Sequence, residues 1–94
     1  MEEQIPFRVR TPRGKQVIGL VTESLGGSRF RIACLDNKER ICRIPGRSKR
    51  NMWVKLGDHV LVEPWEIEPE VKGDIVFRYK PNEVGWMRRK EIIK

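Results

Sequence analysis

Residues 29–44 read RFRIACLDNKERICRI. Apolar and polar side chains alternate on either side of a short polar break, which is the period of a half-buried strand. In the first half Phe30, Ile32 and Cys34 point one way and Arg29, Arg31 and Ala33 the other. In the second half, Glu39 to Ile44, Cys42 and Ile44 share one face and Ile41 and Arg43 the other. Asp36-Asn37-Lys38 between them is turn chemistry, because Asx side chains bond nearby backbone and Asn tolerates a left-handed conformation. The stretch therefore reads as a hairpin with an apolar face and a cationic one. Closing it around Asn37–Lys38 brings Cys34 and Cys42, the two cysteines of the chain, towards each other on the apolar face. A disulfide is possible there, but a reducing compartment leaves two buried thiols.

Upstream, residues 16–25 (QVIGLVTESL) are rich in β-branched side chains. Gly19 inside them is expected to mark a bulge or a sharp bend. Gly26-Gly27-Ser28 is a turn. Downstream, Pro45-Gly46 ends the third strand and Leu56-Gly57-Asp58 is a further turn. HVLVEP (59–64) is a fourth strand with Val60 and Val62 inside, and IVFRYK (75–80) a fifth. In that fifth strand the alternation puts Ile75, Phe77 and Tyr79 on one side and Val76, Arg78 and Lys80 on the other. Pro81-Asn82-Glu83 looks like a helix start with Asn82 as a possible cap, followed by a short helix over Val84–Ile93 packed partly through Trp86 and weakened by Gly85. Residues 1–15 read as a flexible basic arm. Ile5, Phe7 and Val9 alternate as in a short strand, yet Thr11-Pro12-Arg13-Gly14 breaks any regular element, and a segment that orders on an anionic partner fits equally well.

Five short strands, closely spaced turns and no long helix between strands imply an all-β fold. A five-stranded Greek-key barrel of the OB type over residues 16–80, with a helical segment over 81–94, fits best, and an SH3-like barrel is the competing topology. Ninety-four residues bury a single modest core.

The net charge is +7 and the isoelectric point near 9.9, which calls for a polyanionic partner. The charge is also segregated. Residues 1–57 hold thirteen Lys/Arg against five Asp/Glu, residues 58–74 one against six, and residues 75–94 six against two. Arg43 to Gly57 carries five basic side chains, no acid, and Trp53 in their midst. Arg29, Arg31, Arg43, Arg78 and Lys80 lie opposite the apolar stripe, and Arg47, Lys49, Arg50 and Lys55 join them from the loop. Lys and Arg supply affinity for phosphate by releasing counterions, and a Trp or an Arg can stack on an unpaired base. Trp53 has an alternative role, closing the barrel bottom with Met52 and Val54. RNA suits this array better than duplex DNA, since no recognition helix is available for a major groove.

Catalysis finds little support. The one histidine, His59, has no plausible triad, Glu66, Glu68 and Glu70 alternate in a Pro-bounded loop as an exposed rim, and no phosphate-binding glycine motif occurs. Two cysteines and one histidine make a poor zinc site, so no metal and no cofactor are expected. No signal-like or membrane-spanning stretch is present in the sequence, so a cytoplasmic setting without a membrane partner is the default expectation.

Leu25-Gly26, the run Arg43-Ile44-Pro45-Gly46-Arg47, Asn51 with Trp53-Val54, the Gly57-Asp58 turn and GDIVFRY (73–79), with RVRTP (8–12) ahead of them, occur in this order. Over roughly residues 8–90 the chain resembles the archaeal and eukaryotic translation initiation factor 1A family and, in a shorter form, bacterial initiation factor 1. The resemblance implies an OB barrel that binds ribosomal RNA of the small subunit at the A site, blocks premature entry of elongator tRNA and favours placement of initiator tRNA and assembly of the initiation complex. It implies RNA-facing roles for Arg47, Lys49, Arg50, Asn51, Trp53 and Lys55 in the loop and for Arg78 and Lys80 on the last strand. Initiator tRNA and other initiation factors are then indirect partners, a monomer is the simplest state, and the short form points to archaea. Competing expectations are an RNA chaperone or S1-like accessory subunit and, in another class, a nuclease or RNA-modifying enzyme.

Overall fold

The computed structural model describes residues 9–46 and 53–93. Five strands and one helix follow in order: β1 (Val17–Gly26), β2 (Arg29–Cys34), β3 (Glu39–Arg43), β4 (His59–Pro64), β5 (Lys72–Arg78) and α1 (Pro81–Arg89). They close into a barrel in the order β1-β2-β3-β5-β4. The ladders are antiparallel except β3 with β5, which is parallel. This is the five-stranded barrel expected from the alternation and turns.

The β2–β3 hairpin closes as its sequence dictates. Asn37 adopts φ +66°, and the Lys38 amide donates to the Asp36 carboxylate at 3.2 Å. The register places Cys42 opposite Phe30 and Arg40 opposite Ile32, so the two cysteines are not cross-strand partners. Both are buried free thiols, and burial pushes the Cys42 thiol up to about 12.

The apolar residues form two clusters rather than the single core expected from chain length. Inside the barrel, Val21, Phe30, Ile32, Cys34, Cys42, Ile44, Val60, Val62 and Ile75 pack together. Outside it, Ile18, Leu61, Tyr79, Met87 and Ile93 form a second layer, with Val9, Phe77, Val84 and Trp86 against it. A strand buries both faces where a helix covers its outer side, which is why β4 is apolar at three consecutive positions, Val60, Leu61 and Val62.

Two local features depart from simple alternation. Gly19 is not a bulge; the irregularities of β1 fall between Val21 and Glu23 and between Ser24 and Gly26. It is a close-approach site, where a Cβ would lie 2.3 Å from the Ile32 Cγ2. In β5 the pairing runs Leu61 with Phe77 but Val62 with Ile75. The extra residue, Val76, resets the parity. Ile75 therefore points into the barrel, whereas Phe77 and Tyr79 join the outer layer, and Arg78 shares the face of Val60 instead of the wet side.

The helix begins earlier than expected. Its N-cap is Lys80, with Pro81 at the first turn, rather than Asn82. The Glu83 carboxylate accepts the Lys80 amide at 2.7 Å, satisfying an orphan donor. Met87, fully buried, carries the packing more than Trp86 does. Ahead of β1, Val9 and Arg10 lie against the barrel, where the Tyr79 hydroxyl donates to the Arg10 carbonyl. Among the described residues no helix is long and apolar enough to cross a membrane.

Candidate nucleic-acid interface

The segment leading into β4, Trp53 to Asp58, lies at one mouth of the barrel. Of the residues expected to face RNA, Arg47, Lys49, Arg50 and Asn51 lie outside the described residues. The following segment is fixed by its neighbours. Val54 packs against the barrel interior, which turns Trp53 outward, and Trp53 is 78% exposed. Trp53 is therefore not a core cap; Val54 takes that place. Beyond it, Lys55 to Asp58 form a tight turn docked on β1. The Asp58 amide donates to the Lys55 carbonyl at 3.1 Å, the Gly57 amide to the Val21 carbonyl at 2.9 Å, and the Val21 amide to the Asp58 carbonyl at 2.9 Å. Gly57 sits at φ +87°, a conformation that only glycine adopts at little cost.

One carboxylate joins this turn to the last strand. Asp58 Oδ2 accepts the Lys55 amide at 2.8 Å and the Arg78 Nε at 3.0 Å. The pair is partly shielded from solvent. The bulge in β5 is what brings Arg78 to this mouth, and Lys80 follows it, exposed, at the helix N-cap. His59, half-buried behind the turn, is pushed below the usual imidazole range, first by burial and then by Arg88, with Asp58 opposing.

The remaining expected residues lie on the outer faces of β2 and β3. Arg29 and Arg43 stand directly opposite each other, both exposed, an arrangement that costs stability by like-charge repulsion. Arg43 is relieved by Asp74 at 3.1 Å and stacks over the Trp65 ring, 4.9 Å from its centroid. The Trp65 indole N–H donates to the same Asp74 at 2.8 Å. Arg31 is flanked by Glu23 at 2.9 Å and Glu39 at 3.3 Å, so its charge is locally cancelled.

The acidic rim hangs from the other end of β4. That strand is six residues long, which sets His59 and Pro64 roughly 17 Å apart at the usual rise of about 3.3 Å per residue. Glu66, Glu68 and Glu70 are all exposed there. Their loop is held by Arg40, which is only 4% exposed. Its Nε donates to the Pro69 carbonyl at 2.6 Å, and its terminal nitrogens grip Asp36 at 2.9 and 3.1 Å.

A barrel with an exposed indole near Lys55 at one mouth and carboxylates at the far end is the geometry on which the comparisons bear. A family model described as "Translation initiation factor 1A / IF-1" matches residues 5–94. The chain belongs to this family. The translation initiation factor 1A of Methanococcus aeolicus is 44% identical over all of this chain and 91% of its own length, and that of Pyrococcus abyssi 43% identical over 89% of this chain and 74% of its own length. The solution structure of bacterial translation initiation factor 1 from the Wolbachia endosymbiont of Brugia malayi superposes with a TM-score of 0.55 at 33% identity, covering 70% of this chain and 78% of that one.

Within this initiation factor 1A barrel, sequence reasoning overlooked two structural anchors of the site. Asp58 read as an ordinary turn residue, although it is the link between Lys55 and Arg78. Arg40 drew no reading of its own, although strict alternation places it with Cys42 on the inner face and Asp36 stands four residues earlier. Among the described residues no group of three or more His, Cys, Asp or Glu side chains is placed to hold a metal ion.

Proposed function

We propose that the protein binds ribosomal RNA of the small ribosomal subunit at the A site through its barrel mouth, and that by occupying that site it promotes initiator tRNA placement and assembly of the initiation complex, without catalysis. The observation that carries this reading is Trp53, 78% exposed on an anchored loop beside Lys55 and the Arg78–Asp58 pair. Large aromatics are seldom so exposed in a molecule with a core to fill, and an indole among cations is a stacking platform for a flipped or unpaired base. Membership of the initiation factor 1A family supports the ribosomal assignment. The acidic rim, at the far end of β4, orients the barrel with its cations towards phosphate.

Sucrose-gradient co-sedimentation with purified small subunits tests the proposal. Trp53→Ala is expected to weaken binding about tenfold, in line with the roughly 1–3 kcal/mol of one base stack, while leaving thermal stability within about 0.5 kcal/mol because the side chain packs against so little. Reversing Lys49 and Arg50 to Glu releases the protein, and reversing Glu68 and Glu70 to Lys does not. Equal effects from the two reversals would sink the oriented face. Equal binding to subunits and to arbitrary single-stranded RNA would favour a general RNA chaperone.

A further inference from the structure

The arginines split into committed and uncommitted ones. Arg31, Arg40, Arg43 and Arg78 each engage a carboxylate. Arg10 and Arg13 have no carboxylate partner among the described residues, and both line one cleft of about 500 Å³ with Val9, Thr11, Gln16 and Phe77. The Arg10 guanidinium lies 4.7 Å over the centroid of the Phe77 ring. Phe77 is held edge-on by Tyr79, with 4.9 Å between ring centroids. The backbone here is anchored on both sides. Tyr79 holds the Arg10 carbonyl, and Gln16 returns to Arg13 twice, its side-chain oxygen accepting the Arg13 amide at 3.0 Å and its own amide donating to the Arg13 carbonyl at 3.0 Å. Glu63 accepts from the side-chain amide of Gln16, a residue of the cleft lining, at 3.1 Å.

A guanidinium packed on an aromatic ring is oriented, and being exposed it offers its second planar face to solvent. Nucleic-acid bases stack on such faces, and a neighbouring unpaired arginine meets the phosphate. We infer that this cleft is a second nucleotide site, which takes one unpaired nucleotide of single-stranded RNA. The base completes a Phe77–Arg10–base stack and the phosphate pairs with Arg13. The inference rests on reading the chain as an RNA binder, but it uses none of the residues of the Trp53 mouth.

The test is a titration of the full chain with a ten-nucleotide adenylate RNA, followed by amide NMR shifts and fluorescence anisotropy. Two separate groups of shifted signals are expected, one at Trp53–Lys55 and one at Thr11–Gln16. R10K keeps the charge and loses the planar face. It is expected to abolish the Thr11–Gln16 group, weaken binding about fivefold, the lower end of a single stacking contact, and leave the Trp53–Lys55 group in place. F77L keeps an apolar side chain in the outer cluster and should repeat that loss. Unchanged shifts and affinity in both variants overturn the inference and leave the Trp53 face standing. Shifts at Thr11–Gln16 alone uphold it and count against the Trp53 face. No shifts anywhere overturn it, and the ribosomal reading is then decided by sedimentation alone.

Discussion

Gly19 shows how tightly single positions are specified in a barrel this small. It lies opposite Cys34 and Val60 in its two ladders, on the inner face, and the space its side chain would fill is occupied by Ile32, which is fully buried. A Cβ would sit 2.3 Å from the Ile32 methyl and 3.2 Å from the Ala33 carbonyl. Neither a β-branched core residue nor a strand carbonyl yields cheaply. Gly19→Ala is expected to cost about 2–3 kcal/mol by overpacking, read as a lower denaturant midpoint at unchanged slope. His59 gives a second expectation at this scale. Its folded pKa lies below 6.5, by burial first and Arg88 second. Above pH 6.5 the group is neutral in both states and costs nothing. As pH falls below 6.5 the unfolded chain takes up a proton that the folded one resists, so stability declines. His59→Gln removes that part of the slope below pH 6.5, as urea melts at stepped pH will show. The sequence disclosed neither residue's setting. Gly19 looked like a bulge because a glycine in a strand signals several things, and only the neighbour's methyl group decides which.

At the scale of elements, what was legible was whatever alternation controls locally. The β2–β3 hairpin, with its turn and its inner face of Phe30, Ile32, Cys34 and Cys42, follows from period and turn chemistry alone. The fifth strand did not, because a bulge is set by the partner strand and leaves no local mark in IVFRYK; it sent Phe77 and Tyr79 outward and Arg78 to the mouth. The Trp53 loop was half legible: its charges stand in the sequence, but whether Trp53 or Val54 points inward depends on how the Lys55–Asp58 turn docks on β1. The end of α1 carries a prediction of its own. The Glu91 amide donates to the Arg88 carbonyl at 3.1 Å and the Ile92 amide to the Met87 carbonyl at 2.8 Å, a Schellman closure. It requires Glu91 at φ +58°, where a side chain is penalised. Glu91→Gly relieves that penalty and is expected to stabilise by about 0.5–1 kcal/mol, which calorimetry will register as a rise of roughly 2–6 °C in Tm.

Across the whole molecule, the net charge of +7 conceals a division of labour. Among the described residues, ion pairs of Arg31, Arg40, Arg43 and Arg78 neutralise much of the barrel wall, whereas Lys55 and, ahead of β1, Arg10 and Arg13 engage no described carboxylate through their side chains. Binding to the small subunit is accordingly expected to weaken linearly as salt rises on logarithmic axes. Lys55→Gln should reduce the magnitude of that slope by about 0.7–0.9, the share of one phosphate contact, and Glu68→Gln should leave it unchanged. Equilibrium binding at stepped potassium concentrations measures both.

The outer apolar layer has a topological corollary. Val9 and Ile93, the first and last described positions, pack into the same apolar layer although the whole barrel is threaded between them. A rewired gene that fuses them through a linker and opens the chain within residues 47–52 would keep every described ladder and the helix, and would turn the loop ahead of Trp53 into a pair of free termini.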